Sequence, residues 1–158
     1  FHILSHAATK SLLFISAIGL TDVSKGSRKF QDLTGAAYRH KIAGIGFTVG
    51  SLSMVGMPLF SGFVSKLLFA QASIGHAYKM LPALIVLGIS TILNAIYFMK
   101  TVIRIFVPER RSDCEVITIK SEKTYALTIV LFIALNIALG MLSQPIVEWI
   151  KMGLDMFA

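Results

Sequence analysis

The sequence predicts an all-α integral membrane protein with about five transmembrane helices. Of its 158 residues, 55% are hydrophobic and 15% are charged, whereas a soluble domain carries roughly 25% charged residues. The charged positions cluster, so that residues 42–65, 81–99 and 124–147 contain none. Each of these runs can cross a bilayer core, which takes about 20 residues. The composition therefore excludes a disordered chain and a nucleic-acid-binding tail.

The first two helices are predicted at residues 1–20 and 42–57. Because the chain begins with Phe1 inside a helical pattern, we expect it to be a piece of a longer protein. The polar connector at 21–41 is long enough for a short amphipathic helix in the membrane interface. A single helix over 42–78 would be about 55 Å long, against a membrane core of about 30 Å, so the chain is expected to fold back.

The third helix is predicted to be discontinuous near Pro58 and Lys66. Pro58 removes a backbone donor, and Gly56 and Gly62 loosen the same stretch. We therefore expect the fold-back near Pro58 and a new helix beginning near Ser61, with Lys66 in its first turns.

Two more helices follow a short connector at 76–79. The fourth is predicted at 82–106, with Pro108 closing it. A polar loop at 107–123 comes next. Its residues 115–120 alternate between polar and apolar side chains, so they could form a short strand or no ordered structure. The fifth helix is predicted at 124–150.

The positive net charge of +7 is expected to face lipid rather than nucleic acid. Basic side chains at the ends of apolar helices meet lipid headgroups. Most of them fall in the two long loops: Lys25, Arg28, Lys29, Arg39, Lys41, Arg104, Arg110, Arg111, Lys120 and Lys123. Five crossings place these loops on opposite sides, so the distribution of basic residues does not fix the orientation.

Lys66 is the most informative single residue. A lysine at the centre of a membrane helix costs about 2.5 to 3.5 kcal/mol on insertion scales, and such residues usually face a cavity or a partner. An amine held away from water loses its charge more easily, which suits a proton relay. Interrupted helices beside an ionisable group also mark ion sites in transporters. The alternative is a lysine that reaches the membrane surface from near a helix start.

A second set of titratable residues lies on the first helix. His2, His6 and Lys10 follow each other at intervals of four residues, along one face that drifts by about 40° per step. Two imidazoles followed by a lysine could form a proton path. A metal site is the weaker reading, since no acidic third ligand is nearby, and a solvated helix end is the other alternative.

The sequence offers no support for an enzyme active site or a bound cofactor. It contains no glycine-rich nucleotide loop and no paired carboxylates within the apolar runs, and the single Cys114 excludes an intrachain disulfide and a cysteine-based zinc site. Asn94 and Asn136 lie in apolar helices, where an amide more often bonds a neighbouring helix than serves an ion path. Catalytic, cofactor-binding and metal-binding residues are therefore not predicted.

Four motifs in order resemble the antiporter-like subunits of respiratory complex I, multisubunit cation/proton antiporters and membrane-bound hydrogenases. HILSHAATKSLLF at 2–14 resembles that family's H-x-x-x-H-A-x-x-K-x-x-L-F helix. DLTG at 32–35 is similar to its D-L-x-G, and AIYFMK at 95–100 to its aromatic-basic helix end. GMPLFSGFVSK at 56–66 resembles its broken-helix motif G-x-P-x-x-x-G-F-x-x-K.

The resemblance implies that residues 1–158 are one transmembrane domain, the C-terminal part of a fourteen-helix subunit in a prokaryotic plasma membrane. It implies that Lys66 ends a half-membrane proton path and that Lys10, His6 and His2 belong to a central polar axis. The expected function is proton or cation/proton translocation, with other membrane subunits and the lipid bilayer as partners. The alternative is a structural scaffold subunit with no ion path of its own.

Overall fold

The computed structural model describes residues 1–27, 29–74, 77–108 and 123–156. These residues form helices and connecting turns, with no strand among them. The helices in chain order are α1 (His2–Asp22), α2 (Ala36–Arg39), α3 (Lys41–Val55), α4 (Ser61–Ile74), α5 (Ala77–Phe106), α6 (Lys123–Met141) and α7 (Ser143–Asp155).

Three of these helices are long and apolar enough to cross a membrane: α1, the part of α5 from Met80–Phe106, and α6. The all-α membrane class predicted from composition is therefore confirmed. The other helices are too short to meet this length, including α3, which is apolar but only 15 residues long.

α1 lies at the centre of the bundle, where it packs against α3, α4 and α6. Small residues allow the close approach to α3. A Cβ atom added at Gly46 of α3 would collide with the Ser16 hydroxyl of α1 and lie 2.8 Å from Ile129 of α6. Close backbone contact at small residues is a main source of helix association in membranes, where lipid removes the hydrophobic drive.

The chain turns between α3 and α4 at residues 56–60, as the sequence predicts for the fold-back. Gly56 has a φ of 94° and closes α3 in the left-handed conformation, which only glycine adopts without cost. Leu59 also has a φ of 94°. Its carbonyl oxygen lies so close to α6 that a Cβ atom at Gly140 would collide with it. The turn is thus seated directly on α6.

Two predicted helix limits are wrong. The fourth helix begins at Ala77 rather than near 82, and it accommodates Pro82 within its second turn. The fifth helix does not run from 124 to 150. It ends at Met141, and α7 begins at Ser143. Pro145 explains this end, since it has no amide hydrogen to donate to the carbonyl four residues earlier.

The two long loops are described in part. The predicted connector at 21–41 contains the four-residue helix α2, whose Ala36 and Ala37 are buried. Of the predicted polar loop at 107–123, residues 109–122 lie outside the described residues, and with them Cys114 and the possible strand at 115–120. The basic residues Arg28, Arg110, Arg111 and Lys120 lie outside them as well.

Candidate functional site

A cavity of about 230 Å³, lined by both polar and apolar groups, lies where α1, α3, α4 and α5 meet. Serine, threonine, histidine and amide side chains make up most of its polar lining, an unusual composition within a membrane bundle. The lining residues are His2, Ser5, His6, Thr9, Ser53, Met54, Gly62, Ser65, Lys66, Phe69, Leu87, Ser90 and Asn94. The cavity thus contains three of the four titratable residues that the sequence singles out.

Lys66 is half-buried in the second turn of α4 and is held by two neutral oxygens. Its Nζ donates to the carbonyl oxygen of Val55 at 2.7 Å and to the hydroxyl of Thr91 at 2.9 Å. Val55 is the last residue of α3, so its carbonyl has no acceptor role within that helix. The end of α3 therefore supplies a partner for the amine on α4.

His2 and His6 reach the same cavity from α1. Nδ1 of His2 shares a hydrogen bond of 2.5 Å with the hydroxyl of Ser65, the residue that precedes Lys66 in α4. The two imidazole rings are stacked with their centroids 5.5 Å apart, and the rings of His2 and Phe69 are nearly perpendicular with their centroids 5.0 Å apart. The histidine pair and Lys66 are therefore brought together by the packing of α1 against α4.

Lys10 is not part of this cluster. It is exposed on α1 and does not line the cavity. The drift of about 40° per four residues explains the difference, because two such steps carry Lys10 about 80° around the helix from His2. Of the predicted path, the structure joins Lys66, His2 and His6 and leaves Lys10 on another face.

Of the three residues predicted to break the helix, Gly56 and Gly62 lie where α3 and α4 meet and Pro58 lies at the surface. A Cβ atom at Gly56 would lie 3.0 Å from the Lys66 side chain, so this glycine gives the lysine its route to Val55. A Cβ atom at Gly62 would collide with the carbonyl oxygen of Ser53. Pro58 is exposed at the surface of the turn. The glycines thus allow α3 and α4 to approach, while Pro58 lies in the turn itself.

Asn136 is the residue that sequence reasoning underestimates. Its side chain is fully buried and joins four helices. Its Oδ1 accepts from Ser53 of α3 at 2.8 Å and from Ser61 of α4 at 2.9 Å, and its Nδ2 donates to Thr9 of α1 at 3.0 Å. The expectation that such an amide bonds a neighbouring helix is correct, but one asparagine in an apolar run does not reveal three partners.

The arrangement suits proton transfer better than metal binding. Among the described residues, no group of three or more histidine, cysteine or acidic side chains could hold a metal ion. The cavity instead combines one amine, two imidazoles and several hydroxyls, which are chemical groups able to accept and donate protons.

Residues 1–100 match the family model described as NADH:quinone oxidoreductase/Mrp antiporter, TM. The chain belongs to this family, as its motifs indicate. The match covers α1, the connector, the turn at 56–60, Lys66 and most of α5.

Individual relatives come from both branches of the family. The chain is 30% identical to the Na(+)/H(+) antiporter subunit A1 of Staphylococcus haemolyticus, over 94% of the chain and 20% of that protein. It is 25% identical to the NADH-quinone oxidoreductase subunit N of Saccharopolyspora erythraea, over 97% of the chain and 29% of that protein. It therefore spans less than a third of the length of either.

A solved structure shares the fold. The Mrp complex from Dietzia sp. DQ12-45-1b matches with a TM-score of 0.75 and 21% identity, over 91% of this chain and 34% of that one. Together with the apolar helices, the bacterial relatives identify an integral protein of a prokaryotic plasma membrane.

Proposed function

We propose that this chain translocates protons, or exchanges protons for cations, as part of a membrane subunit in a complex I-like NADH dehydrogenase, a hydrogenase or a multisubunit antiporter. Other membrane subunits of such a complex are then its partners. Lys66 is the group that gains and loses the proton. The observation that carries the proposal is the Lys66 amine, held by neutral oxygens beside a cavity that two imidazoles also line.

The contacts of Lys66 support exchange rather than a fixed charge. A structural lysine in a membrane is normally paired with an acid. Here both hydrogen-bond partners are uncharged, and no carboxylate of the described residues forms an ion pair with the amine. Since no counter-ion holds the charged state, loss of the proton does not break an ion pair.

A path to Lys66 runs along α1 and through the cavity. The imidazoles of His2 and His6 both line the cavity of about 230 Å³, which has room for several water molecules. Water between polar groups carries hydrogen bonds nearly as well as direct contact does. Lys10 is proposed as the next group, one turn further along α1 from His6.

The proposed topology has five crossings within one domain, residues 1–158. α4 contains 14 residues and is therefore about 21 Å long, shorter than a core of about 30 Å. We propose that the third crossing is discontinuous and that the non-helical residues before Ser61 complete it. The connector at 21–41 then lies in one interface and the polar loop at 107–123 on the opposite side.

A structural scaffold remains the second candidate, favoured by the Asn136 contacts that tie four helices together. Lys66→Ala in the full-length subunit within its complex separates the two functions. A relay loses proton translocation and keeps assembly, whereas a scaffold loses assembly. Lys41→Ala, at the exposed start of α3, is the matched control. Preserved translocation in Lys66→Ala would rule out the relay.

A further inference from the structure

We propose that Thr91 is a positioning residue which, with the Val55 carbonyl, holds the Lys66 amine in the same place whether or not it is protonated. The one remaining substituent position on Nζ is then the position at which the proton is exchanged. This inference rests on the proposed function of Lys66 and identifies how α3 and α5 serve it.

The Thr91 hydroxyl can only accept a hydrogen bond from Lys66. Its single hydrogen is donated to the Leu87 carbonyl oxygen at 2.8 Å, one turn earlier in α5. A hydroxyl has one donor and two lone pairs, so the oxygen presents a lone pair to Nζ at 2.9 Å. The Val55 oxygen is a carbonyl and also only accepts. Both contacts therefore require an N–H on Lys66.

Two acceptors suit both forms of the amine. A charged lysine has three N–H donors, and the neutral amine has two N–H donors and one lone pair. The bonds to Val55 and Thr91 use two N–H groups in either form. On uptake, the lone pair at the third position takes a proton from a donor in the cavity; on release, that N–H bond breaks and its electron pair stays on nitrogen.

The third substituent position on the Lys66 nitrogen is the one that remains available to groups in the cavity. Lys66 lines the cavity, whereas Val55 and Thr91 are not among its lining residues. The titratable groups that share the cavity with it are His2 and His6 of α1; the lining residues from α3 and α5 are uncharged. The proton therefore arrives from the side of α1, while α3 and α5 hold the nitrogen still. Transfer then needs no swing of the lysine side chain, which is the advantage of a preorganised site.

Transport by the full-length subunit in its complex tests the role of Thr91. Thr91→Val removes the acceptor with little change of shape and should slow translocation by at least about tenfold, since a hydrogen bond to a charged group is lost. Thr91→Ser keeps the hydroxyl and should restore most of the rate. Thr101→Val is the matched control, because that hydroxyl also bonds its own helix, to Tyr97 at 3.1 Å, without contacting Lys66. Equal rates for Thr91→Val and wild type would overturn the proposal, as would a Thr91→Ser variant as slow as Thr91→Val.

A thermal-stability cycle in the same complex tests the contact without relying on transport. Thr91→Val should lower the melting temperature in the wild type and have a much smaller effect in Lys66→Met, which has no amine to hold. Equal effects in both backgrounds would show that Thr91 does not act through Lys66. If Lys66→Ala still translocates, the proposed function fails whatever the cycle gives. If Lys66→Ala stops translocation but Thr91→Val does not slow it, the present inference alone fails.

Discussion

The side-chain nitrogen of Lys66 lies 2.7 Å from the carbonyl oxygen of Val55, so a lysine of α4 closes the C-terminal end of α3. The Gly56 amide bonds the carbonyls of Leu52 and Ser53, and the lysine takes the Val55 carbonyl. A positive charge at a helix C-terminus is also favoured by the helix dipole. The Lys66 amine therefore supplies a hydrogen-bond donor to a carbonyl that α3 leaves without a partner.

Gly62→Ala should weaken the packing of α4 on α3. The new Cβ atom would collide with the Ser53 carbonyl oxygen, and overpacking of this kind costs about 1 to 3 kcal/mol. Thermal unfolding of the purified protein measures the loss. Gly88→Ala is the control, because nothing lies within 4 Å of its Cβ position in α5, so it should be neutral or slightly stabilising. Equal melting temperatures for Gly62→Ala and Gly88→Ala would contradict the close contact.

Asn136→Leu should destabilise the bundle, as measured by thermal unfolding. The substitution removes three hydrogen bonds, to Thr9, Ser53 and Ser61. At an average of about 0.6 kcal/mol per bond in a membrane, the loss is about 2 kcal/mol. Thr128→Val provides the comparison on the same helix, since its hydroxyl bonds a carbonyl of its own helix, that of Thr124. A stability loss no larger than that of Thr128→Val would show that the network contributes little.

Ser65→Ala should slow translocation without affecting assembly. It removes the hydrogen bond that orients His2 towards α4, and one such bond corresponds to about a two- to tenfold effect. Ser65→Thr, which keeps a hydroxyl, should recover part of the rate. Ser73→Ala is the control on the same helix, because the Ser73 hydroxyl bonds the carbonyl of Phe69 and Ser73 does not line the cavity. The role of His2 would be in doubt if both alanine variants transported at the wild-type rate.

Pro145→Ala should join α6 and α7 into a longer helix. The new amide hydrogen can reach the carbonyl of Met141, which is the last residue of α6. Amide hydrogen exchange at residues 142–144, which have an amide hydrogen in both proteins, measures this, with slower exchange expected in the variant. Unchanged exchange would mean that another feature of Leu142 or Ser143 ends α6.

Much of the fold can be predicted from the sequence runs that contain no charged residue. The apolar runs locate the long helices, and Gly56 with Pro58 predicts the turn that separates α3 from α4. Proline alone does not fix the limits of a helix. Pro82 is accommodated inside α5 and Pro145 lies just beyond the end of α6, because the outcome depends on how near the helix start each missing amide falls.

The candidate site is predictable in its titratable residues and not in their partners. Lys66, His2 and His6 are evident from sequence as ionisable groups in apolar helices. Thr91 and Asn136 are ordinary residues in long apolar runs, and their importance depends on the way neighbouring helices are rotated. The spacing already predicts that Lys10 lies about 80° around α1 from His2, but which side of α1 faces the cavity depends on rotation as well.

Proton uptake by vesicles that contain the full-length complex with Lys66→Arg is the most direct measurement. Arginine keeps the positive charge and can donate to the Val55 carbonyl and the Thr91 hydroxyl, but it does not release its proton. We predict a fully assembled complex in which proton translocation is lost. Translocation at the wild-type rate would show that the charge of Lys66 is sufficient and that proton exchange occurs elsewhere.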